Sequence, residues 1–357
     1  MKYWMYAGGN TPAHAWNDMK AKGITGVIGP AAVAEPALAA GLEVMLCGGA
    51  FPAGKISEKG DDHLAVDING KKQLWFSSCC PSHKPTREAN LEMYRRIVKT
   101  PGISGVIIDG ARFASPSSSK DPDAFFTCFC PRCREAMIGF GIDPDRVEKS
   151  VHELYDWYYR GGTIPTDPEG IRDWLTFRRK QAGSHLKDFA DIVHEAGLKA
   201  GAFLFFPSIS DLVGQSYGDM GKVMDIVSPM LYPSYPVTET DYAAACLNSE
   251  LAAIYRMTAG HGAVSPEEAL QNLEKLVGHS LPQPDEMAKA VPSVLVRSET
   301  RKAVRKSGNA LVMPILQLDE PNLMSSIRFA VTGGAKEVAF FVYKEDVFAK
   351  LPPLPQF

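Results

Sequence analysis

The chain has 357 residues, 45% of them apolar, enough to bury a large core as one elaborated domain or two ordinary ones. Its 38 Lys and Arg stand against 41 Asp and Glu, a net charge of -3 with both signs interspersed, so neither nucleic acid nor an anionic membrane is expected as a partner. No run approaches the roughly 20 apolar residues of a membrane helix, and seven cysteines, an odd number in a chain too large to need disulfide staples, suit a reducing, cytoplasmic setting without an export signal.

In chain order, β-rich runs fall near 3–7, 24–29, 43–48, 104–109, 200–206, 226–231, 311–316 and 337–343, alternating with amphipathic helical stretches. Glycine marks the hand-over from helix to strand at Lys22-Gly23, Ala40-Gly41, Pro101-Gly102, Ala196-Gly197 and Gly333-Gly334, where a left-handed residue is commonly needed. Alternating strand and helix implies parallel pairing, and eight such units predict a single α/β domain over 1–357, a (β/α)8 TIM barrel. Ile171, Leu175, Ala182, Leu186, Phe189, Val193 and Ala196 recur at steps of three, four or seven and predict a helix packed on the barrel wall. Long segments follow strands three, four and six, at about 49–84, 113–168 and 233–308. All three lie on the carboxyl-end face, where such barrels build active sites.

The fourth strand ends in Gly105-Val106-Ile107-Ile108-Asp109-Gly110-Ala111-Arg112-Phe113. Asp109 is expected at the rim, with Arg112 holding it ionised by charge and hydrogen bonding; a structural Asp-Arg pair tying down the loop is the alternative. An ionised carboxylate there can attack or stabilise the oxocarbenium-like centre of a breaking glycosidic bond, which usually requires a second carboxyl. Asp319, Glu320 and Glu345, ending strands seven and eight, are candidates, with Asp211 and Asp219 as further options. Asp319 and Glu320 also precede a helix, where capping or dipole complementation is an equal alternative. Tyr232, Tyr235, Trp75, Trp4 and Tyr343 suit sugar faces, and Gln317 suits a sugar hydroxyl.

Cys128, Cys130 and Cys133 form a Cys-x-Cys-x-x-Cys cluster; with Cys79 or Cys80 as fourth ligand it makes a closed, structural zinc site that pins the strand-three and strand-four insertions together. Three reduced thiols without metal, and less so an iron-sulfur cluster, are the alternatives. His63, His83, His185, His194, His261 and His279 lack metal spacing, and neither a phosphate-binding glycine loop nor a Gly-x-Ser-x-Gly elbow is present. No organic cofactor is expected.

These residues carry a resemblance to the barrel glycoside hydrolases. Gly105 to Phe113 is similar to the Gly-(Val/Leu)-x-Leu-Asp-x-x-Arg-(Phe/Tyr) fourth-strand signature of glycosidase families, and Val227 to Ser234 to their sixth-strand motif. The cluster of Cys128, Cys130 and Cys133 with a cysteine near 80 resembles the zinc cluster of family 42 β-galactosidases. Those enzymes end strand four in Asn-Glu and use a strand-seven Glu nucleophile, whereas this chain has Asp109-Gly110 and Gln317. An Asp ending strand four is instead where α-amylase-like and α-galactosidase-like barrels hold their nucleophile.

The resemblance implies a glycosidase acting on a carbohydrate substrate. By the resemblance Asp109 is expected as nucleophile or base; from the residues themselves Glu320 or Asp319 is the candidate acid, and Arg112, Tyr232, Gln317, Tyr343 and Trp75 are the candidates to surround the sugar. A non-hydrolytic sugar lyase or isomerase and a catalytically silent carbohydrate-binding barrel are the rivals. Oligomeric state stays open, a homo-oligomer included.

Overall fold

In a computed structural model the described residues are 1–54, 60–235, 245–260 and 264–357; His261, named above, lies outside them. The strands are β1 (Lys2–Tyr6), β2 (Gly26–Gly29), β3 (Glu43–Gly49), β4 (Ala65–Val66), β5 (Lys72–Gln73), β6 (Gly105–Asp109), β7 (Lys199–Leu204), β8 (Ile226–Pro229), β9 (Leu311–Val312), β10 (Ile315–Gln317) and β11 (Glu337–Phe341). Among the described residues nine of them form a curled parallel sheet in the order β10-β11-β1-β2-β3-β6-β7-β8-β9, while β4 and β5 make an antiparallel pair apart from it.

The expected seventh strand, 311–316, is interrupted. Val312 is the last residue of β9 paired to β8, and Met230, just past β8, bridges Ile315 in β10. Between them stands Pro314, which has no N–H to give a ladder. The two pieces nonetheless sit at opposite ends of the strand order, each next to its own neighbour.

Side chains alternate cleanly across the sheet. Tyr3, Met5, Val44, Leu46, Val106, Ile108, Ala202, Leu204, Val338 and Phe340 face outward into the main core beneath the helices. Trp4, Ile28, Met45, Ile107, Phe203, Ile226, Met313, Ile315 and Ala339 fill the inside of the curl. Trp4 lies at the amino end of that interior: its indole N–H donates to Glu337 at 2.7 Å, and a Cβ on Gly26 would stand 2.4 Å from its ring. It is therefore a floor residue rather than a rim aromatic.

A second core lies beyond the carboxyl ends of β3 and β6. It joins the chain after β3 (Ala65, Ile68, Trp75, Cys80) to the chain after β6 (Phe113, Phe125, Phe126, Cys128, Met137, Val151). The 28-residue helix Pro168–Glu195 spans both cores. Asp167 caps it through the N–H groups of Glu169 and Gly170, with Pro168 in its first turn. Leu186, Phe189 and Val193 pack on the sheet as expected, but Trp174 and Phe177, with Ile171 and Leu175 partly covered, pack into the second core. The stripe read from the sequence is thus divided between two partners.

Candidate active site and metal centre

Asp109 ends β6 on the inward face, two residues beyond Ile107, and is half-buried at the carboxyl-end rim. Burial raises its pKa, while the Arg112 charge and a backbone hydrogen bond at Gly110 pull the other way. Around it stand the rim ends of neighbouring strands: Tyr6 of β1 is hydrogen-bonded to Cys47 of β3, and the Asp109 charge opposes ionisation of both. Tyr6 packs against Phe341 (centroids 5.3 Å apart) and Phe203 (6.4 Å), and Tyr232 against Phe341 (5.9 Å) and Tyr235 (6.4 Å). Among the described residues these side chains form an aromatic cluster at the carboxyl ends of the strands, with the Asp109 carboxylate within electrostatic reach of Tyr6 and Tyr232.

Arg112 does not hold Asp109 by hydrogen bonding, contrary to expectation. Its guanidinium donates to the Phe113 carbonyl (3.1 Å) and Ser118 Oγ (3.0 Å), and lies over the rings of Phe205 (4.8 Å) and Phe76 (5.5 Å). Burial lowers its pKa to about 10, against the opposing charges of Glu250 and Asp109. Only charge at a distance reaches Asp109.

Glu250 itself was not singled out by sequence reasoning. Fully buried in the helix Leu247–Ala259, it accepts from Ser115 Oγ and Ser117 Oγ, both at 2.6 Å, and from the Ala245 N–H at 3.0 Å. It anchors the loop after β6 across 133 or more residues of sequence, which no local motif announces.

Gln317 ends β10 on the inward face, 3% exposed, and its amide donates to Asp319 at 2.8 Å. Asp319 also pairs with Lys344 at 2.5 Å; burial works to raise its pKa, but Lys344 and Gln317 together bring it below the usual value. Among the described residues neither oxygen of Glu320, 6% exposed, has a partner at full hydrogen-bonding geometry, and burial lifts its pKa to about 7, with the nearby Ser326 hydroxyl opposing and the Asp319 charge adding to the rise. Ser326 belongs to the buried face of the helix Leu323–Thr332, so Glu320 is enclosed beneath that helix.

The remaining candidates lie elsewhere. Trp75 is 2% exposed within the second core and has no open face for a sugar. The Tyr343 ring packs on Phe348 (5.5 Å), outside the aromatic rim. Glu345 pairs with His14 at 2.9 Å, and Asp219 lies 3.6 Å from both Arg179 and Lys222. Asp211 lines a separate cavity of about 410 Å³ with Lys302, Arg305 and Lys306.

The cysteine cluster assembles from both insertions. Cys80 Sγ lies 3.4 Å from Cys133, 3.6 Å from Cys130 and 3.7 Å from Cys128, and all four sulfurs lie within 4.8 Å of one another. Cys79 points into the main core instead, which settles the fourth member as Cys80. Tetrahedral zinc with Zn–S bonds of about 2.3 Å has S···S edges of about 3.8 Å, close to these separations. The N–H groups of Val66 and Ser82 donate to Cys128 (3.3 Å) and Cys80 (3.4 Å), which suits thiolate charge, and Cys133 Sγ lies 3.1 Å from Ser82 Oγ. Four buried cysteines this close can hold a metal ion.

Neither a protein-family model nor a curated sequence matches the chain. Among solved structures it is similar to the glycoside hydrolase domain of PgaB (BpsB) from Bordetella bronchiseptica, with a TM-score of 0.63 and 13% identity over 99% of this chain and 96% of that one. A β-galactosidase from the psychrophilic Marinomonas ef1 gives 0.57 and 14% over 96% and 54%, and the catalytic domain of a β-amylase from Paenibacillus polymyxa gives 0.55 and 11% over 96% and 92%. The shared property is a TIM-like α/β fold. Among the described residues no helix is long and apolar enough to cross a membrane.

Proposed function

We propose that the chain is a glycoside hydrolase built on a (β/α)8 barrel, with β9 and β10 together counting as its seventh strand. The observation that carries this reading is Asp109: an inward carboxylate at the carboxyl-end rim, ringed by Tyr6, Phe203, Tyr232, Tyr235 and Phe341. Aromatic faces match the apolar C–H faces of a pyranose, and a lone carboxylate among them can stabilise positive charge at an anomeric carbon. Asp109 is assigned as nucleophile or base. Tyr232 and Gln317 contact sugar hydroxyls, and Arg112 braces the loop behind Asp109.

The general acid belongs to Asp319 or Glu320, which divide its requirements between them. Asp319 stands beside Gln317 but is kept ionised by Lys344, whereas Glu320 has a pKa suited to proton donation but lies enclosed near Ser326. In support of the carbohydrate reading, the solved structures most useful for comparison are themselves glycoside hydrolases. The cysteine cluster is assigned as one structural zinc site: four thiolates close the coordination sphere and leave no position for water.

Asp109→Asn should reduce turnover of a glycoside substrate by on the order of 10^3-fold while leaving the unfolding transition intact. Undiminished turnover in that variant removes Asp109 from the mechanism. Because neither second carboxyl unites access with protonation, a silent carbohydrate-binding barrel is the second reading. It would show as a saccharide that raises the unfolding midpoint and is never cleaved.

A further inference from the structure

Phe76 stands out among the large apolar residues at 56% exposure, beside the residue it adjoins in sequence, the buried Trp75. Trp75 and Ser78 form an antiparallel bridge closed by a 2.7 Å hydrogen bond from the Ser78 N–H to the Trp75 carbonyl. The two residues inside this turn are both left-handed, Phe76 with φ of 48° and Ser77 with φ of 51°. Such a turn ordinarily takes Asn-Gly, because a Cβ is disfavoured at positive φ. A bulky residue there persists only when its surroundings impose it.

The surroundings in this case are the catalytic rim. A Cβ placed on Gly110, the residue following Asp109, would lie 3.4 Å from the Phe76 ring, and the Arg112 guanidinium sits 5.5 Å from its centroid. Arg112 is backed in turn by Phe205, so phenyl, guanidinium and phenyl stack in series. The loop is pinned from behind by the Pro52–Ser78 bridge and the Ala53 N–H to Ser77 carbonyl bond at 2.8 Å. One ring face is thus supported while the exposed part remains open to solvent next to Asp109.

We infer that Phe76 is the stacking platform of a saccharide subsite adjoining Asp109, taking the apolar C–H face of a second pyranose unit, so that the ligand is an oligosaccharide rather than a single sugar. This rests on the glycosidase reading for the position of the cleaved bond. Having no hydroxyl or N–H of its own, phenyl recognises the face of a ring and leaves its substituents unread.

The test is calorimetric binding of four probes, cellotetraose, chitotetraose, maltotetraose and β-1,4-galactotetraose, to Asp109→Asn protein, in which cleavage cannot consume the ligand. Adding Phe76→Gly should weaken the bound probe about tenfold, and it should raise the unfolding midpoint because glycine accepts the left-handed turn. Phe76→Tyr should restore the affinity. Affinity within about twofold of the parent in Phe76→Gly, a fall in midpoint showing the ring to be packing alone, or no probe bound at all would each overturn the inference. Phe76-dependent binding by wild-type protein that cleaves none of the probes would sustain the platform and remove the hydrolase reading, whereas cleavage with Phe76-independent binding would do the reverse.

Discussion

Glu320 carries a pH dependence of its own. Its pKa is about 7 in the folded chain against 4.5 as the ordinary value, because burial disfavours its charge. Below about pH 4.5 both folded and unfolded states hold the proton; between there and about 7 only the folded state does, so stability falls as pH rises, by about 3 kcal/mol in total. Glu320→Gln should therefore raise the unfolding midpoint at pH 8 and change it little at pH 4, as thermal melts across that range would show. A midpoint gain independent of pH would mean the carboxyl is not titrating there. Single residues were unevenly legible in the sequence. Asp109 could be placed because a β-branched run leads straight to it, but Arg112 turned to Ser118 and Phe113 instead of Asp109, a choice made by the loop and by Phe205. Trp75 is among the aromatics whose type suits a sugar face, yet it is buried while its neighbour Phe76 is exposed, and the left-handed backbone at Phe76 is a conformation that no local preference announces.

At the scale of elements, all eight expected strand regions occur, and the glycines that announced them have the conformation that made them informative. Gly23, Gly41, Gly102, Gly197 and Gly334 have φ between 71° and 109°. What escaped was the interruption at Pro314 and the β4–β5 pair, two residues on each side and too short for a periodic signal. The choice between Cys79 and Cys80 was likewise hidden, since adjacent residues in extended chain face opposite ways and either face could have met the cluster. Holding the second core to the long helix is Arg178, fully buried, donating to the carbonyls of Thr127 (2.7 Å), Leu212 (2.6 Å) and Phe125 and stacking on Trp174 at 3.9 Å. Burial pushes its pKa well down, and the nearby charges of Cys128 and Cys133 support the cation. Arg178→Met keeps the bulk but orphans two buried acceptors, the Phe125 and Leu212 carbonyls, while Thr127 keeps the Trp174 indole N–H at 3.2 Å; at about 1–3 kcal/mol each, a loss of about 3 kcal/mol in urea unfolding is expected. A loss below about 1 kcal/mol would show those carbonyls to be satisfied by other means.

For the whole molecule, the two cores differ in what secures them. The main core is broad and continuous on the sheet, whereas the second is small and drawn from segments far apart in sequence that meet at Cys80, Cys128, Cys130 and Cys133. Elemental analysis of dialysed protein should find about one zinc per chain. Stripping it with a strong chelator should split a single unfolding transition into two, the earlier one belonging to residues around 65–80 and 113–151, as proteolysis mapping would reveal. A metal-free protein melting in one unchanged step would refute the zinc assignment. The helix Pro168–Glu195 has a further consequence. At 1.5 Å per residue it is a rod about 42 Å long, with its first half embedded in one core and its second half in the other. The second core is therefore carried on the same rod that packs against the sheet, and displacing one core relative to the other has to bend or break that helix.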